Sequence, residues 1–318
     1  MAGKKTPDTM LSCSRLPAVM GLSKYSTPND ELELSIAAIR GEKRDNKQNE
    51  SMAWGDRLEA VILREAAERL QLADLVTEHD QARFHESLPL CCSLDGTGDG
   101  HGQILTTDPD RGIYVIGQDS IRLDGVGILE AKLTAVQPED APALYRGPIQ
   151  LQGQMDICSS KWGALCVLYQ GTALRVFLFA PHQQTVQTIA QIATAFQAKL
   201  DTFKATGEID YYPPLNSDDA DRMYPVATDT VVQLDIEAEL LAAKIVDAKN
   251  RAITAEKDRA EAETELKTML GNAGKAIAGK YEIKWPMRSF KAQPQKIVPA
   301  KEAYSIRQST LSVKEATA

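Results

Sequence analysis

Two charged residues spaced two apart, Glu130 and Lys132, are the first candidates for chemistry in this sequence. They lie in the apolar run 126–133, which predicts a β-strand, and residues two apart on a strand point to the same side. A second carboxylate, Asp95, follows another predicted strand. If the strands are neighbours, both carboxylates and the backbone carbonyl of Ala131 offer the oxygen ligands that Mg²⁺ prefers. Lys132 can then orient an attacking water or stabilise charge on a phosphate.

Glu-x-Lys alone is weak evidence, because the same pattern arises by chance as an ion pair on an edge strand. The apolar flanks of this segment favour a central strand instead, and Glu59 on a predicted upstream helix offers a third carboxylate. Asp124 precedes the same strand and is an alternative metal-binding aspartate, or else a turn residue. The segment Gly96 to Gly100 lacks the Lys-Ser/Thr of a phosphate-binding loop, so a flexible turn is expected there.

The elements that must position these residues follow from hydrophobic periodicity and turn signals. The sequence predicts helices at 16–20, 27–40, 54–70, 149–159 and 184–203, and strands at 88–94, 113–116, 126–133, 165–169 and 174–179. This order predicts a mixed α/β core, with helices on the faces of a central sheet, over residues 1–207.

The remainder of the chain has a different character. Residues 208–232 are rich in Asp, Pro, Asn and Ser and predict a linker. Residues 233–272 contain no Gly or Pro before Gly271 and predict a long helix. The apolar residues are spaced roughly as in a heptad repeat, which would suit a coiled coil. Residues 273–318 form a small basic extension of nine Lys/Arg and three Glu, with a predicted strand at 281–285.

Composition narrows the possible functions. The 318 residues carry 36 basic and 44 acidic side chains, a net charge of −8, which argues against broad, salt-driven coating of DNA. The sequence contains no apolar stretch of 18 residues, so no membrane span is predicted. The first ten residues lack the apolar region of a secretory signal. The odd set of five cysteines, including the adjacent Cys91 and Cys92, is typical of reduced thiols in a cytoplasm.

The segments Asp95-Gly96 and Glu130-Ala131-Lys132 resemble the core of PD-(D/E)XK nucleases. Over about residues 10–200 the chain is similar to the YqaJ-type viral recombinase family, whose relatives include the lambda-type phage exonuclease. The further motifs, in the family's order, are Ser12-Cys13-Ser14-Arg15, Gly21-Leu22-Ser23-Lys24-Tyr25-Ser26-Thr27-Pro28, Gly55 to Glu59, and Tyr145 with Gln150-Leu151-Gln152. The resemblance implies a restriction-endonuclease-like fold with the long helix and basic tail appended.

The resemblance also implies residue roles. Asp95, Glu130 and the Ala131 carbonyl would hold Mg²⁺, for which Mn²⁺ would substitute, with Glu59 helping directly or through a water. Lys132 would position the attacking water. One of Gln150 and Gln152 would bind the water or the scissile phosphate. The remaining implied contacts, to the terminal 5′-phosphate of DNA, would come from Ser14 and Arg15.

The implied activity is a 5′→3′ exonuclease on double-stranded DNA ends, which leaves 3′ single strands for an annealing protein. The resemblance further implies a homo-oligomeric ring, trimeric or tetrameric. It also implies a location in the cytoplasm of a bacterial host and a phage or prophage origin. Two alternatives stay open: a structure-specific or restriction-like endonuclease, and a catalytically silent DNA-end adaptor. The chain departs from the family in its long Asp95–Glu130 gap and in lacking an arginine before Ser12, where only Lys4 and Lys5 occur.

Overall fold

The computed structural model describes residues 6–42, 49–77 and 79–287. Lys4, Lys5 and residues 288–318 of the predicted basic extension lie outside the described residues. The helices are α1 Leu16–Val19, α2 Pro28–Ile39, α3 Glu50–Leu70, α4 Pro148–Cys158, α5 Gln183–Thr206, α6 Ser217–Met223 and α7 Ile236–Leu270. The strands are β1 Leu11–Ser12, β2 Ala73–Val76, β3 Arg83–Phe84, β4 Leu90–Cys92, β5 Gly96–Asp99, β6 Gln103–Thr106, β7 Ile113–Val115, β8 Ser120–Leu123, β9 Val126–Thr134, β10 Gly163–Tyr169, β11 Ala173–Phe179, β12 Lys275–Ala278 and β13 Tyr281–Lys284.

A six-stranded mixed sheet in the order β2-β5-β9-β10-β11-β7 organises the first part of the chain. β9 runs parallel to β10 and antiparallel to β5, and β10 and β11 form the predicted hairpin. Alternate residues of β10 point to opposite faces, so Leu165 and Val167 join one apolar cluster and Ala164 and Cys166 the other. This arrangement confirms the predicted fold class, a mixed central sheet flanked by helices and followed by a long C-terminal helix.

The two faces of the sheet receive different helices. Helix α3 packs Ile62, Leu63 and Ala66 against one face. Helices α4 and α5 cover the other, where Leu151 and Phe196 belong to the same apolar cluster as Leu165. Because Glu130 and Lys132 share the side of β9 that also carries Ile128, they face the α4 layer.

The glycine-rich segment after Asp95 is a strand, β5, and the predicted flexible turn is wrong. Its glycines are needed for close packing: a Cβ at Gly96 would lie 2.9 Å from Leu63 Cδ1, and one at Gly98 would lie 3.0 Å from Leu72 Cδ1. The predicted strand 88–94 shrinks to β4, which pairs with β1 and β3 in a separate small sheet. Asp95 therefore precedes the strand that contacts β9, instead of ending it.

The chain divides into two compact units, residues 1–220 and 221–318. The first unit extends past the expected boundary at 207, because the following segment folds back onto α2. There Tyr211 Oη donates to Glu33 Oε1 at 2.9 Å, and Thr27 Oγ1 donates to Asp219 Oδ1 at 2.8 Å. Part of the predicted linker 208–232 is therefore a structural part of the core unit.

The second unit contains α7 and the antiparallel hairpin of β12 and β13. Asp235 caps α7 by accepting from the backbone N–H groups of Glu237 and Ala238. Lys267 of α7 lies 5.6 Å from the ring centre of Trp285, which follows the hairpin. Among the described residues, no helix has both the length and the apolar character needed to cross a bilayer.

Candidate active site

The site is built around Glu130, whose side chain is only 1% exposed. β9 pairs with β10 along residues 128–134 and with β5 up to Leu129, and the burial of Glu130 excludes the interpretation of Glu-x-Lys as a surface ion pair. Glu130 Oε1 accepts from Lys132 Nζ at 2.5 Å and from Gln150 Nε2 at 2.7 Å. Its other oxygen, Oε2, accepts from Gln154 Nε2 at 2.7 Å. These donors stabilise a carboxylate charge in the interior and fix its orientation.

Asp95 lies beside Glu130 because the antiparallel register pairs Gly96 with Leu129, and so brings the preceding residue next to Glu130. Asp95 Oδ2 accepts from the backbone N–H of Ala131 at 3.0 Å. Burial, followed by the charge of Glu130, raises the pKa of Asp95 well above its ordinary value of 3.8. A carboxyl group whose pKa is raised by a neighbouring carboxylate is typical of sites that bind a cation or perform acid–base chemistry.

Lys132 supplies the compensating positive charge. Burial opposes its charged form, but the charges of Glu130 and Asp95 outweigh that effect and raise the pKa of Lys132. Its side chain keeps 31% exposure, and the residue lines a cavity of about 340 Å³. The ammonium group is thus cationic, anchored on Glu130, and next to space that a substrate can enter.

A divalent cation fits the donor set that this arrangement provides. Glu130 is buried and Asp95 is partly buried, and the charge of Glu59 on α3 also acts on Asp95 and Lys132, so the carboxylates outnumber the single ammonium. The Oε1 atom of Gln154, next to Glu130, is buried with no hydrogen-bond partner. Asp95, Glu130 and the carbonyl of Ala131, which lies on the same side of the strand as its N–H, would hold the ion.

Glu59 does not complete a set of three side-chain ligands. Within the described ranges, no three residues among His, Cys, Asp and Glu are grouped closely enough to hold a metal ion. Glu59 acts on Asp95 and Lys132 through its charge. This leaves a two-carboxylate set with a backbone carbonyl as the arrangement to test, and places Glu59 beside it.

Helix α4 presents Gln150 and Gln154 to Glu130, whereas Gln152 points elsewhere. Gln152 Nε2 donates to the carbonyl of Ala180 at 2.9 Å, and its Oε1 accepts from the His182 N–H at 2.8 Å. Both polar groups of Gln152 therefore tie α4 to the start of α5. Sequence reasoning missed Gln154, although residues four apart share a helix face and residues two apart do not.

The cavity next to Lys132 brings together segments that are distant in the sequence. Ser14, Ser23, Tyr145 and Arg146 line it together with Lys132. Arg146 Nη2 donates to Tyr145 Oη at 3.1 Å, and its Nη1 is paired with Glu139. The cavity thus combines two cationic residues with hydroxyl groups, which are the donors that bind a phosphate, and the acidic Glu31 in its lining is paired with Arg15.

Residues 6–157 match the family described as the YqaJ-like viral recombinase domain. That range contains Asp95, Glu130, Lys132 and the glutamines of α4. The chain is thus similar to this family over residues 6–157, just under half of its length. The family supports a nuclease of the phage recombination type.

Solved structures similar to this chain include exonucleases, at low sequence identity. An alkaline exonuclease, LHK-Exo from Laribacter hongkongensis, is 15% identical with a TM-score of 0.44, covering 62% of this chain and 90% of that chain. The same enzyme in complex with dAMP is 16% identical, with a TM-score of 0.43 and coverage of 61% and 89%. A phage-related exonuclease from Haemophilus somnus 129PT is 12% identical, with a TM-score of 0.37 and coverage of 63% and 96%. A comparison with curated proteins gives no match.

Arg15 has a structural position that revises its expected role. All five N–H donors of a guanidinium are engaged, by the side chain and carbonyl of Glu31, by Ser35 Oγ and by the carbonyls of Asp8 and Met10. The side chain is 7% exposed, and it is absent from the lining of the cavity. Of the two residues expected at the 5′-phosphate, only Ser14 reaches the cavity, and Arg146 is the arginine that lines it.

Asp124, the alternative metal-binding aspartate, precedes the N-terminal end of β9 and lies away from Glu130. It is 52% exposed and pairs with Lys161 Nζ at 2.5 Å, which holds the pKa of its carboxyl below the ordinary value. Glu130 is six positions further along the chain, about 20 Å away at the rise of an extended strand. The candidate site therefore assembles its carboxylates from Asp95 and Glu130.

Proposed function

We propose that this protein is a Mg²⁺-dependent 5′→3′ exonuclease that degrades one strand from double-stranded DNA ends. The observation that carries the proposal is the buried Glu130 carboxylate, held by Lys132 and two glutamines and placed directly beside Asp95. The recombinase family and the cavity at Lys132, lined by cationic and hydroxyl side chains, support the same reaction class. Mn²⁺ would substitute for Mg²⁺, since both accept oxygen ligands.

Each residue has a defined part in the proposed hydrolysis. A divalent ion bound at Asp95 and Glu130 supplies Lewis-acid chemistry for phosphodiester hydrolysis. The Lys132 ammonium orients the attacking water, or stabilises the charge that develops on the phosphate. Gln150 and Gln154 hold the Glu130 carboxylate in one orientation.

The polarity of the reaction would come from the cavity that Ser14 and Arg146 line. A terminal 5′-phosphate bound there lies next to Lys132, so the bond that follows it reaches the carboxylates. An arginine can bind a phosphate through two parallel hydrogen bonds, which fixes the position of the end. The 3′ single strand that remains would pass to an annealing protein, in the cytoplasm of a bacterial host, and a ring of subunits would retain the duplex.

The test uses the full-length protein on linear duplexes with a 5′-phosphate or a 5′-hydroxyl and on closed circles, with Mg²⁺ or with EDTA. End labels on each strand report which strand shortens first. The proposal expects Mg²⁺-dependent loss of the 5′ label from the phosphorylated linear duplex and intact circles. Lys132→Ala should abolish digestion. Lys161→Ala, a matched lysine variant beside Asp124, should digest normally.

Each alternative predicts a different result in the same assay. Cutting of circles would show an endonuclease, and loss of the 3′ label first would reverse the polarity. No digestion of any duplex by the intact protein, with retained binding to ends, would show a silent adaptor. Arg146→Ala should reduce the preference for the 5′-phosphate over the 5′-hydroxyl, whereas Arg15→Lys should keep that preference in the folded fraction.

A further inference from the structure

Helix α7 carries an apolar face that remains open in the structure. It is 35 residues long, about 50 Å at the rise of an α-helix, and it lies entirely in the described part of the chain with no buried residue. Leu241 is 58% exposed, Ile245 43%, Leu266 40% and Met269 79%. A helix of this length with an open apolar face is stabilised when another helix covers that face.

Ten positions of α7 alternate by three and four residues and form a seam on one side of the helix, whereas Leu240 and Ile253 lie outside it. The positions of the seam are Ala238, Leu241, Ile245, Ala248, Ala252, Ala255, Arg259, Ala262, Leu266 and Met269. Nine of these ten residues are apolar, and this spacing is the heptad pattern of a two-helix interface. The polar exception, Arg259, lies among alanines, where a small opposing residue would leave room for it.

We propose that two copies of this chain associate through α7 as an antiparallel coiled coil, centred between Ala252 and Ala255. The proposal concerns the second compact unit and does not depend on the nuclease activity of the first. It commits to a second copy as the occupant because the sequence of α7 is complementary to its own reverse.

The charged residues that flank the seam favour the antiparallel orientation of the two helices. With Ala252 facing Ala255 of the second copy, Lys244 lies opposite Glu265 and Arg251 lies opposite Asp258 on one side. On the other side Lys249 lies opposite Glu256. Two-fold symmetry repeats each contact, so every charged pair at these positions is of opposite sign.

The sizes of the seam residues fit the same alignment. Ile245 lies opposite Ala262 and Met269 opposite Ala238, so a large side chain meets a small one, and Arg259 lies opposite Ala248. A layer of Leu241 and Leu266 supplies larger apolar contacts at both ends. Interdigitation of large and small residues is how helices approach closely.

A parallel arrangement of the same helices keeps one opposite-charge contact, Arg251 against Glu256 of the second copy, but its other charged contacts are between like charges. It would place Lys244 against Lys249 of the second copy, Asp258 against Glu263, and the two Arg259 residues against each other in the seam. Like charges at these positions destabilise a coiled coil and select against that direction. Shifting the antiparallel alignment by one heptad either way also brings like charges together, for example Arg251 against Arg251.

The first test measures self-association of the full-length protein by sedimentation over a concentration series. K244E brings two acidic residues together in the antiparallel pair and should weaken association by roughly tenfold. K244E/E265K restores opposite charges and should recover it. K257E, on the outer face of the same helix, is the matched control and should match the wild type. Stronger association of K244E would indicate the parallel pair, and equal behaviour of K244E and K257E would refute pairing through α7.

The second test fixes the direction by disulfide formation. Ile245 and Ala262 are too far apart on one helix to link, but they face each other in the antiparallel pair. The full-length I245C/A262C double variant should form a covalent dimer on mild oxidation, with a 245–262 link in the peptide map, whereas I245C alone should not. A 245–245 link, or no dimer from the double variant, would overturn the proposal. Neither measurement uses DNA digestion. A result that contradicts pairing through α7 would therefore leave the proposed nuclease activity untested, and the reverse also holds.

Discussion

Two buried charges in the first unit, Glu130 and Arg15, have very different surroundings. The charge and the hydrogen-bond donors of Arg15 all have partners. Glu31 neutralises the charge, the donors are all used, and the guanidinium lies 5.6 Å from the ring centre of Phe196. Glu130 has good donors too, but Asp95 lies next to it and only Lys132 offsets their combined charge. A buried charge with complete compensation supports the scaffold, whereas a local excess of one sign is retained where a ligand will supply the missing charge.

The largest effect that this comparison predicts is on catalysis. Glu130→Gln removes the central carboxylate while keeping its shape, so kcat/KM on linear duplex should fall roughly 10³-fold or more with an unchanged circular dichroism spectrum. Asp124→Asn, a neutralised carboxylate that precedes the same strand, should retain activity near that of the wild type. Normal activity of E130Q would remove the basis for treating this cluster as the active site.

Arg15→Met should instead act on stability. It leaves Glu31 without its partner, and the free energy of unfolding from urea titration should fall by about 3 kcal/mol, at the lower end for a broken buried ion pair because Glu31 keeps some exposure. The double variant R15M/E31L should recover much of this loss. A specific loss of 5′-phosphate preference by folded R15M, with stability unchanged, would return Arg15 to the DNA-binding set.

Substitutions of Gln152 and Gln154, two of the three glutamines of α4, should separate activity from stability in the same way. Gln154→Leu removes a donor to Glu130 and should lower kcat by roughly tenfold to a hundredfold. Gln152→Leu breaks the contacts to Ala180 and His182 and should cost about 1–3 kcal/mol of stability with kcat nearly unchanged. If Q152L lost kcat and Q154L did not, the placement of α4 against β9 would be contradicted.

The smallest effect concerns Asp95 in metal-free protein. Because the pKa of Asp95 is raised on folding, the folded state keeps a proton that the unfolded chain loses, so this contribution to stability declines as the pH rises above about 3.8. Asp95→Asn should therefore be more stable than the wild type in EDTA. The advantage should grow with pH until the folded pKa is passed, to about 1 kcal/mol or more, roughly 2–4 °C in the melting temperature. A wild type that melts at or above the temperature of D95N at neutral pH would contradict the proposed crowding of carboxylates.

The candidate site was predictable where it depends on local spacing. Glu130 and Lys132 share a face of one strand, a consequence of the two-residue period, and Glu59, Asp95 and Ser14 were found by motif. Gln154 was accessible to the same reasoning, since it follows Gln150 by one helical turn. Arg15 and Arg146 could not be told apart in advance, because burial of one and cavity exposure of the other depend on how α1, α2 and the segment before α4 pack.

The sequence by itself determined the periodicities: which residues of β9 share a side, which residues of α7 form a seam, and where turns interrupt the chain. These are set by backbone geometry within a few residues, so no distant contact is needed to find them. Only the tertiary structure decided that β5 is a strand, since its glycines are explained by the approach of Leu63 and Leu72 from other elements. It also decided which charges are neutralised, because compensation of a buried charge depends on groups that lie far away in the sequence and close in space.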